Sequence, residues 1–324
     1  MAERPDPRPG PGQLRVRVHA AGLNFAEVAA RQGLYPDAPR PPCVLGYEGA
    51  GVVDAVGSGV DAKRIGQRVL FMSDFGAHAE QVVVPQEAAV ELPADLSFEA
   101  AAAIPVNYAT AWQLLFEVAR IRPGDRVLVH MAAGGVGTAV LQLARTVQDV
   151  TVFGTASAGK HGYLRAQGCD HPIDYRTTDY AEVVRELTSG EGVDFVLDPL
   201  GGRDWRKGYR LLRPGGLLIA YGFANVVRGH RRRPLHVLAQ LATVPRFEPM
   251  GLMRDNRGVA GVHMGTLARH PERLRHALTN VVRLAAEGAV RPVVDATYPF
   301  EQAAEAHRRL EARRNVGKVV LRAV

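Results

Sequence analysis

The sequence predicts an α/β protein, with a doubly wound parallel sheet in the middle of the chain and β-rich segments on either side of it. Three observations predict this. Residues 124–145, GDRVLVHMAAGGVGTAVLQLAR, read as an apolar strand, a glycine turn and an amphipathic helix. Further apolar strands follow at 150–155 (VTVFGT), 193–197 (VDFVL) and 216–221 (GLLIAY), separated by helical stretches, and that alternation builds a parallel sheet. Residues 1–107 instead carry short β-like runs rich in Gly, Pro and Val, such as LRVRVHA at 14–20, with turn residues between them. A chain of 324 residues has room for two such domains.

Each element of the central region has a reason. The strand at 126–130 follows the turn RPGD, and the helix after the glycines places Val136, Val140, Leu141 and Ala144 at helical spacing. The turn reads A-x-G-x-x-G. Ala132 stands at the first glycine position, Gly134 where a backbone must approach a pyrophosphate, and Gly137 where helix packs on strand. A helix starting there aims its amide dipole at phosphates, which makes Ala133, Gly134, Gly135, Val136 and Gly137 candidate cofactor-binding positions. The next strand ends with Thr155 about twenty residues beyond the glycines, where a dinucleotide fold reads the ribose. No Asp or Glu stands there; Ser157 and Lys160 do. A carboxylate would repel a 2′-phosphate, whereas a hydroxyl and an ammonium attract one, so NADPH is expected over NADH. Ligands of such a sheet lie beyond the carboxyl ends of its strands, which adds Tyr175 as an adenine neighbour and brings in Gly222 and Phe223.

These stretches, with AGLNFAEVAARQGLY (21–35), GYEGAGVV (46–53), HPIDYRTTDY (171–180), DPLGG (198–202) and NVGKVVL (315–321), extend over nearly the whole chain. On them the chain resembles the zinc-independent quinone oxidoreductases of the medium-chain dehydrogenase/reductase superfamily, and within these the vesicle amine transport protein homologues. The resemblance implies a Rossmann-type NADP-binding domain, 108–265, inserted into a GroES-like catalytic domain made of 1–107 and 266–324. It also implies a strand hairpin before PGPGQLRVRV that this chain, starting almost at Pro5, does not carry. Either the start is misassigned or trimmed, or the strand near Leu14 is an exposed edge, open to pairing.

The resemblance bears on metal as well. Zinc-using relatives need a Cys, a His-Glu pair and a further Cys, Glu or Asp, often with four closely spaced cysteines elsewhere. Here the residue before Glu48 is Tyr47, and the only cysteines are Cys43 and Cys169. No zinc is expected. The chemistry left is hydride transfer to an activated acceptor, a quinone or an α,β-unsaturated carbonyl. The resemblance places Asn24 beside the nicotinamide ribose or the acceptor oxygen, Tyr35 as proton donor and Glu27 in an orienting role, with a solvated helix carboxylate as the plainer reading of Glu27. It puts Thr110 near the carboxamide, Val262 on a backbone strand beside the nicotinamide, and Lys318 near the cofactor phosphate.

Residues 224–255 join a basic cluster, RGHRRR, to the apolar stretch LHVLAQLATV. A lid, a dimer edge and a contact with an anionic membrane surface are all compatible with that pairing. A net charge of +7 admits nucleic acid, but the arginines are scattered, aromatic content is 6% and no nucleic-acid motif accompanies them, so none is expected. No signal peptide or membrane-crossing apolar run is found, and a cytoplasmic homodimer, paired through a strand edge at 258–262, is expected. Two alternatives to quinone or enone reduction remain: a membrane-surface or lipid-binding protein on the same fold with weak turnover, and an enoyl reductase for carrier-bound or polyketide intermediates.

Overall fold

The computed structural model describes residues 3–323. It divides into two compact units, one comprising Met1–Ala109 and Met264–Val324, the other Thr110–His263; the sequence placed these boundaries at 107/108 and 265/266.

The first unit opens with β1 (Gln13–Leu23), α1 (Phe25–Arg31), β2 (Glu48–Val56), β3 (Arg68–Met72), β4 (Gln81–Pro85), β5 (Ala89–Glu91) and α2 (Phe98–Ala102). Helix α3 (Pro105–Trp112) then leads into the second unit. That unit holds β6 (Arg126–Val129), α4 (Gly135–Ala144), β7 (Thr151–Ala156), α5 (His161–Gln167), β8 (His171–Asp174), α6 (Tyr180–Leu187), β9 (Val193–Asp198), α7 (Arg203–Tyr209), β10 (Leu212–Ala220), α8 (Pro234–Ala242), α9 (Pro249–Asp255) and β11 (Gly258–Gly261). The first unit resumes with α10 (Met264–Leu267), α11 (Pro271–Ala286), β12 (Val294–Pro299), α12 (Ala303–Glu311) and β13 (Lys318–Arg322).

In the first unit the sheet order is β12-β13-β1-β2-β3-β5, with β4 also on β1. The exposed edge expected near Leu14 is not there. Leu14 pairs with Val56 of β2 on one side and Val84 of β4 on the other, and it is fully buried. Strand β1 is long enough to serve two partners along one edge, β4 at Gln13–Arg17 and β13 at Ala20–Leu23. The tail is thus stitched into the N-terminal sheet. Helix α11 buries Leu274, Ala277, Leu278 and Val281, a stripe of the spacing an amphipathic helix requires.

In the second unit the order is β11-β10-β9-β6-β7-β8, all parallel. Strand β6 is paired on both edges, and Val127, Leu128 and Val129 are wholly buried, as the unbroken apolar run of an inner parallel strand demands. Leu128, Phe153, Ile173, Val184, Val196 and Leu218 form the core beneath. The sheet's order reverses between β6 and β9, the position where such sheets open a crevice at their carboxyl ends. One element escaped the sequence reading: α3 continues as a π-helix over Gln113–Ala119 and stops at Arg120, whose φ is 52°.

Candidate functional site

In the second unit the glycine turn forms as the sequence requires. After β6, Met131 takes a positive φ of 54°, the Gly134 N–H donates to the Met131 carbonyl (2.9 Å), and Gly134 caps α4. A Cβ on Gly137 would lie 2.5 Å from the Ala132 carbonyl oxygen, so only glycine lets this turn of helix rest on the loop. A Cβ on Gly134 would meet only the Met131 carbonyl, at 3.2 Å, and otherwise open space. The first amides of α4, from Gly135, Val136 and Gly137, have no carbonyl of their own helix to bond. Ala133 is buried below them.

Because the strands are parallel, the segments that leave β7, β8, β10 and β11 gather at the same end of the sheet. Thr155 is buried, its Oγ1 3.1 Å from Nδ1 of His130. Ser157 caps a short 3-10 turn that carries Lys160, whose N–H donates to the Ser157 carbonyl; both side chains are half-buried. Tyr163 of α5 pairs with Thr138 of α4 through their hydroxyls at 2.8 Å. Tyr175 is 43% exposed, with the Arg176 guanidinium 6.0 Å from its ring centre. Gly222 is exposed, and the Phe223 ring lies tilted against Trp205, 5.4 Å between ring centres. The Val262 N–H donates to the Ala220 carbonyl, and Thr110 is buried on α3.

Sequence reasoning missed Asp198 and its neighbour His130. Asp198, the last residue of β9, is fully buried. Its Oδ1 accepts from the Leu200 and Gly201 N–H groups, and its Oδ2 has no partner. Burial pushes its carboxyl upward against the field of His130, whose own pKa burial lowers. The signal was the DPLGG stretch itself, a carboxylate placed where an apolar strand meets a turn.

The first unit holds a denser cluster. Glu48, at the start of β2, is fully buried. Its Oε1 accepts from Nδ2 of Asn24 (2.7 Å) and lies 2.5 Å from Nζ of Lys318, and its Oε2 accepts from the Val106 N–H (2.7 Å). Lys318 also donates to Oδ1 of Asn24 (2.6 Å) and of Asn107 (3.3 Å). Only glycine fits at position 22, where a Cβ would fall 2.6 Å from Oε1 of Glu48. Lys318, expected near the cofactor phosphate, sits inside this network. It is 2% exposed and its ammonium bonds Glu48, Asn24 and Asn107. Asn24 is half-exposed, its amide held at both ends by that network.

Glu27 is not a solvated carboxylate either. It is wholly buried, its Oε2 accepts from the Asn24 N–H (2.9 Å) as half of a capping box at the start of α1, and its Oε1 has no partner. Burial raises its pKa to about 8, outweighing the Asn24 hydrogen bond and the Lys318 charge. His78 lies 3.8 Å from Glu27 with its pKa lowered by burial to about 4. Tyr35 is half-buried, its phenol pushed up to about 12 by burial, then by Asp37, Asp74 and Glu27. Tyr47 packs against Phe75 (4.6 Å between ring centres) and Tyr35 (6.1 Å); burial drives its phenol well above the usual range, and its hydroxyl has no partner. Among the described residues no three His, Cys, Asp or Glu side chains stand together as metal ligands would.

A glycine turn in a doubly wound sheet, together with a β-rich unit carrying a buried Asn-Glu-Lys network, defines a protein of the two-domain dehydrogenase/reductase class. The comparisons agree. The family model described as alcohol dehydrogenase GroES-like domain matches residues 10–94, and that described as zinc-binding dehydrogenase matches residues 167–321. The synaptic vesicle membrane protein VAT-1 homolog of Mus musculus is 47% identical over 315 residues, covering 97% of this chain and 77% of that protein. The crystal structure of the human synaptic vesicle membrane protein VAT-1 homolog-like protein aligns with a TM-score of 0.84 at 37% identity, over 98% of this chain and 91% of that one. Escherichia coli quinone oxidoreductase complexed with NADPH aligns with a TM-score of 0.86 at 30% identity, over 99% and 94%. The chain belongs to the medium-chain dehydrogenase/reductase superfamily, among the quinone oxidoreductase-like proteins and VAT-1 homologues.

Proposed function

We propose that this protein is an NADPH-dependent reductase that needs no metal and passes hydride to a quinone or an α,β-unsaturated carbonyl compound. The observation that carries the reading is the turn before α4 together with the end of β7, where Ser157 and Lys160 stand and no carboxylate does. The residues fit the cofactor. The amides of Gly135, Val136 and Gly137 hold a pyrophosphate against the turn made by Ala133 and Gly134, and Ser157 and Lys160 hold the 2′-phosphate. Tyr175 flanks the adenine, and Thr155, Thr110, Gly222, Phe223 and Val262 line the remainder. Bound there, the cofactor supplies the hydride. They do not fit zinc: the position before Glu48 is a phenol, and both oxygens of Glu48 are taken by Lys318, Asn24 and the Val106 N–H.

Asn24 keeps one amide hydrogen beyond that given to Glu48, for the acceptor or the ribose. Tyr35, with its pKa raised, holds its proton at neutral pH and serves the acceptor first as a hydrogen-bond donor, with water completing the protonation. The enzyme works as a cytoplasmic homodimer, paired through the outer edge of β11, which ends its sheet. The test is oxidation of NADPH and NADH by the purified protein against quinones, enones and enoyl thioesters, with and without a chelator. Faster turnover with NADPH, unchanged by chelator, is expected. No binding of either dinucleotide would overturn the reading.

One observation favours a second reading. Leu235, Leu238 and Leu241 of α8 are 82%, 62% and 52% exposed and follow directly on the exposed run 228–233, RGHRRR. A cationic and apolar stripe of this kind suits an anionic membrane surface. Sedimentation with phosphatidylserine vesicles but not with neutral ones would support it, and absence from both would remove it.

A further inference from the structure

The carboxyl ends of the central strands in the second unit carry three buried polar residues in one row. The register that pairs Val129 of β6 with Gly154 of β7 and with Leu197 of β9 sets the next residues, Thr155, His130 and Asp198, side by side. Behind them the same strands bury apolar side chains: Val127, Leu128 and Val129 of β6, Val152 and Phe153 of β7, Val196 and Leu197 of β9. Thr155, His130 and Asp198 are no more exposed than these. A polar group in such a core costs stability unless it is hydrogen-bonded, so the bonds each one makes define its work.

Those bonds divide by the half of the sheet they serve. Oγ1 of Thr155 lies 3.1 Å from Nδ1 of His130, and the Thr155 carbonyl accepts from the Ala132 N–H, also at 3.1 Å. The end of β7 is thereby tied to the glycine turn through its side chain and its backbone. Two residues on, Ser157 begins the short turn that carries Lys160. Asp198 works on the other side. Its Oδ1 gathers the Leu200 and Gly201 N–H groups into a turn, and residues 221–225 rest on that turn. The Ala224 and Asn225 N–H groups donate to the carbonyls of Pro199 (2.8 Å) and Leu200 (3.0 Å), and a Cβ on Gly201 would lie 2.1 Å from the Phe223 ring.

We propose that Thr155 and His130 position the 2′-phosphate end of the dinucleotide and that Asp198 positions its nicotinamide end, each acting through the loop it holds. The proposal rests on the NADPH reading above. A doubly wound sheet takes one mononucleotide on each half, and β6–β8 form one half here, β9–β11 the other. A bond that fixes one loop therefore bears on one end of the ligand. His130 is suited to its place because burial lowers its pKa, so the neutral ring bonds the Thr155 hydroxyl without bringing a charge into the core.

The test is calorimetric titration of the full chain with NADPH, with NADH, which lacks the 2′-phosphate, and with 2′,5′-ADP, which carries the phosphate end alone. Thr155→Val and His130→Leu each remove the bond between β6 and β7; both should weaken NADPH and 2′,5′-ADP about fivefold and leave NADH within about twofold. Thr155→Ser keeps the hydroxyl and His130→Asn keeps an amide where Nδ1 lies, so both should restore NADPH affinity. Asp198→Ala should weaken NADPH and NADH alike, by about tenfold, and leave 2′,5′-ADP unchanged, while Asp198→Asn keeps an acceptor oxygen and should recover most of the loss. Circular dichroism melts identify a variant that fails to fold. Either of Thr155→Val and His130→Leu then decides for the pair, and Asp198→Ser, with one shorter acceptor, replaces Asp198→Ala. Equal losses for all three ligands in every variant would make the row a plain support of the sheet and overturn the proposal, with the cofactor reading intact. Wild-type protein that binds neither NADPH nor 2′,5′-ADP would overturn both. The expected split in affinities with no acceptor reduced would keep the proposal and sink the reductase reading.

Discussion

Lys318 and Glu48 show how much a single buried charge can decide. With the ammonium at 2.5 Å and both carboxylate oxygens occupied, the pair is tolerable in the core; alone, either group is not. Lys318→Ala should therefore lower stability by about 3–5 kcal/mol, read from urea unfolding, and adding Glu48→Gln should restore part of it. Additive losses would mean that the two side chains do not interact. Glu27 gives the opposite case, a group whose folded pKa of about 8 lies above its ordinary 4.5. Below pH 4.5 both states are protonated and no cost arises. From 4.5 to 8 the unfolded chain ionises while the folded one does not, so stability declines, and above 8 the loss levels off. Glu27→Gln should gain on wild type by on the order of a few kcal/mol across that window, and parallel pH profiles for the two proteins would refute this. His78 and His307, both lowered to about 4, act at the other end: their contribution holds above pH 6.5 and disappears as pH falls through 4.

At the scale of elements, the turn between β6 and α4 is tight enough to forecast. A side chain at Gly137 has nowhere to go, because its Cβ would overlap the backbone of Ala132. Gly137→Val should push α4 off the sheet, lowering Tm by several degrees and weakening NADPH binding by at least tenfold in fluorescence titration. Unchanged binding would place the cofactor elsewhere. This turn was legible in the sequence because its demands are local: an apolar strand, glycines at fixed offsets and a helix in register, all within 124–145. The strands β7, β9 and β10 were legible for the same reason. What the sequence hid depends on distant partners. Leu14 reads as the start of an edge strand until β4 closes over its free side. Lys318 is read from the resemblance as lying near the cofactor phosphate, and its burial is hidden until residues 24, 48 and 107 converge on it from as far as 294 positions away. Glu27 reads as an exposed helix carboxylate because its capping bond to Asn24 is local, while its burial is not.

At the scale of the whole molecule, the two units differ in how the chain supplies them. The second is one continuous stretch, Thr110–His263, with a six-stranded sheet and a core of its own. The first is assembled from both ends of the chain, and its C-terminal portion is structural. Strand β13 lies between β12 and β1, and it pairs with β1 over Ala20–Leu23. The tail also supplies Lys318, the only ammonium bonded to Glu48 among the described residues, and Glu311, which pairs with Arg31 of α1. Ending the chain at His263 would strip half an edge from β1 and strand Glu48 as an uncompensated buried carboxylate. Every contact within the β6–β11 sheet would remain. Such a truncation should unfold the first unit and spare the second. Hydrogen exchange would show fast exchange at amides of β1 and β2, with those of β6, β7 and β9 still protected. Protection of β1 in the truncated chain would mean that the N-terminal sheet needs neither β13 nor the buried ammonium. If only the second unit survives, NADPH should still bind, more weakly, since the turn and the residues after β7 and β8 stay in place, while turnover should cease on the proposed reading, which assigns Asn24 and Tyr35 of the first unit to the acceptor.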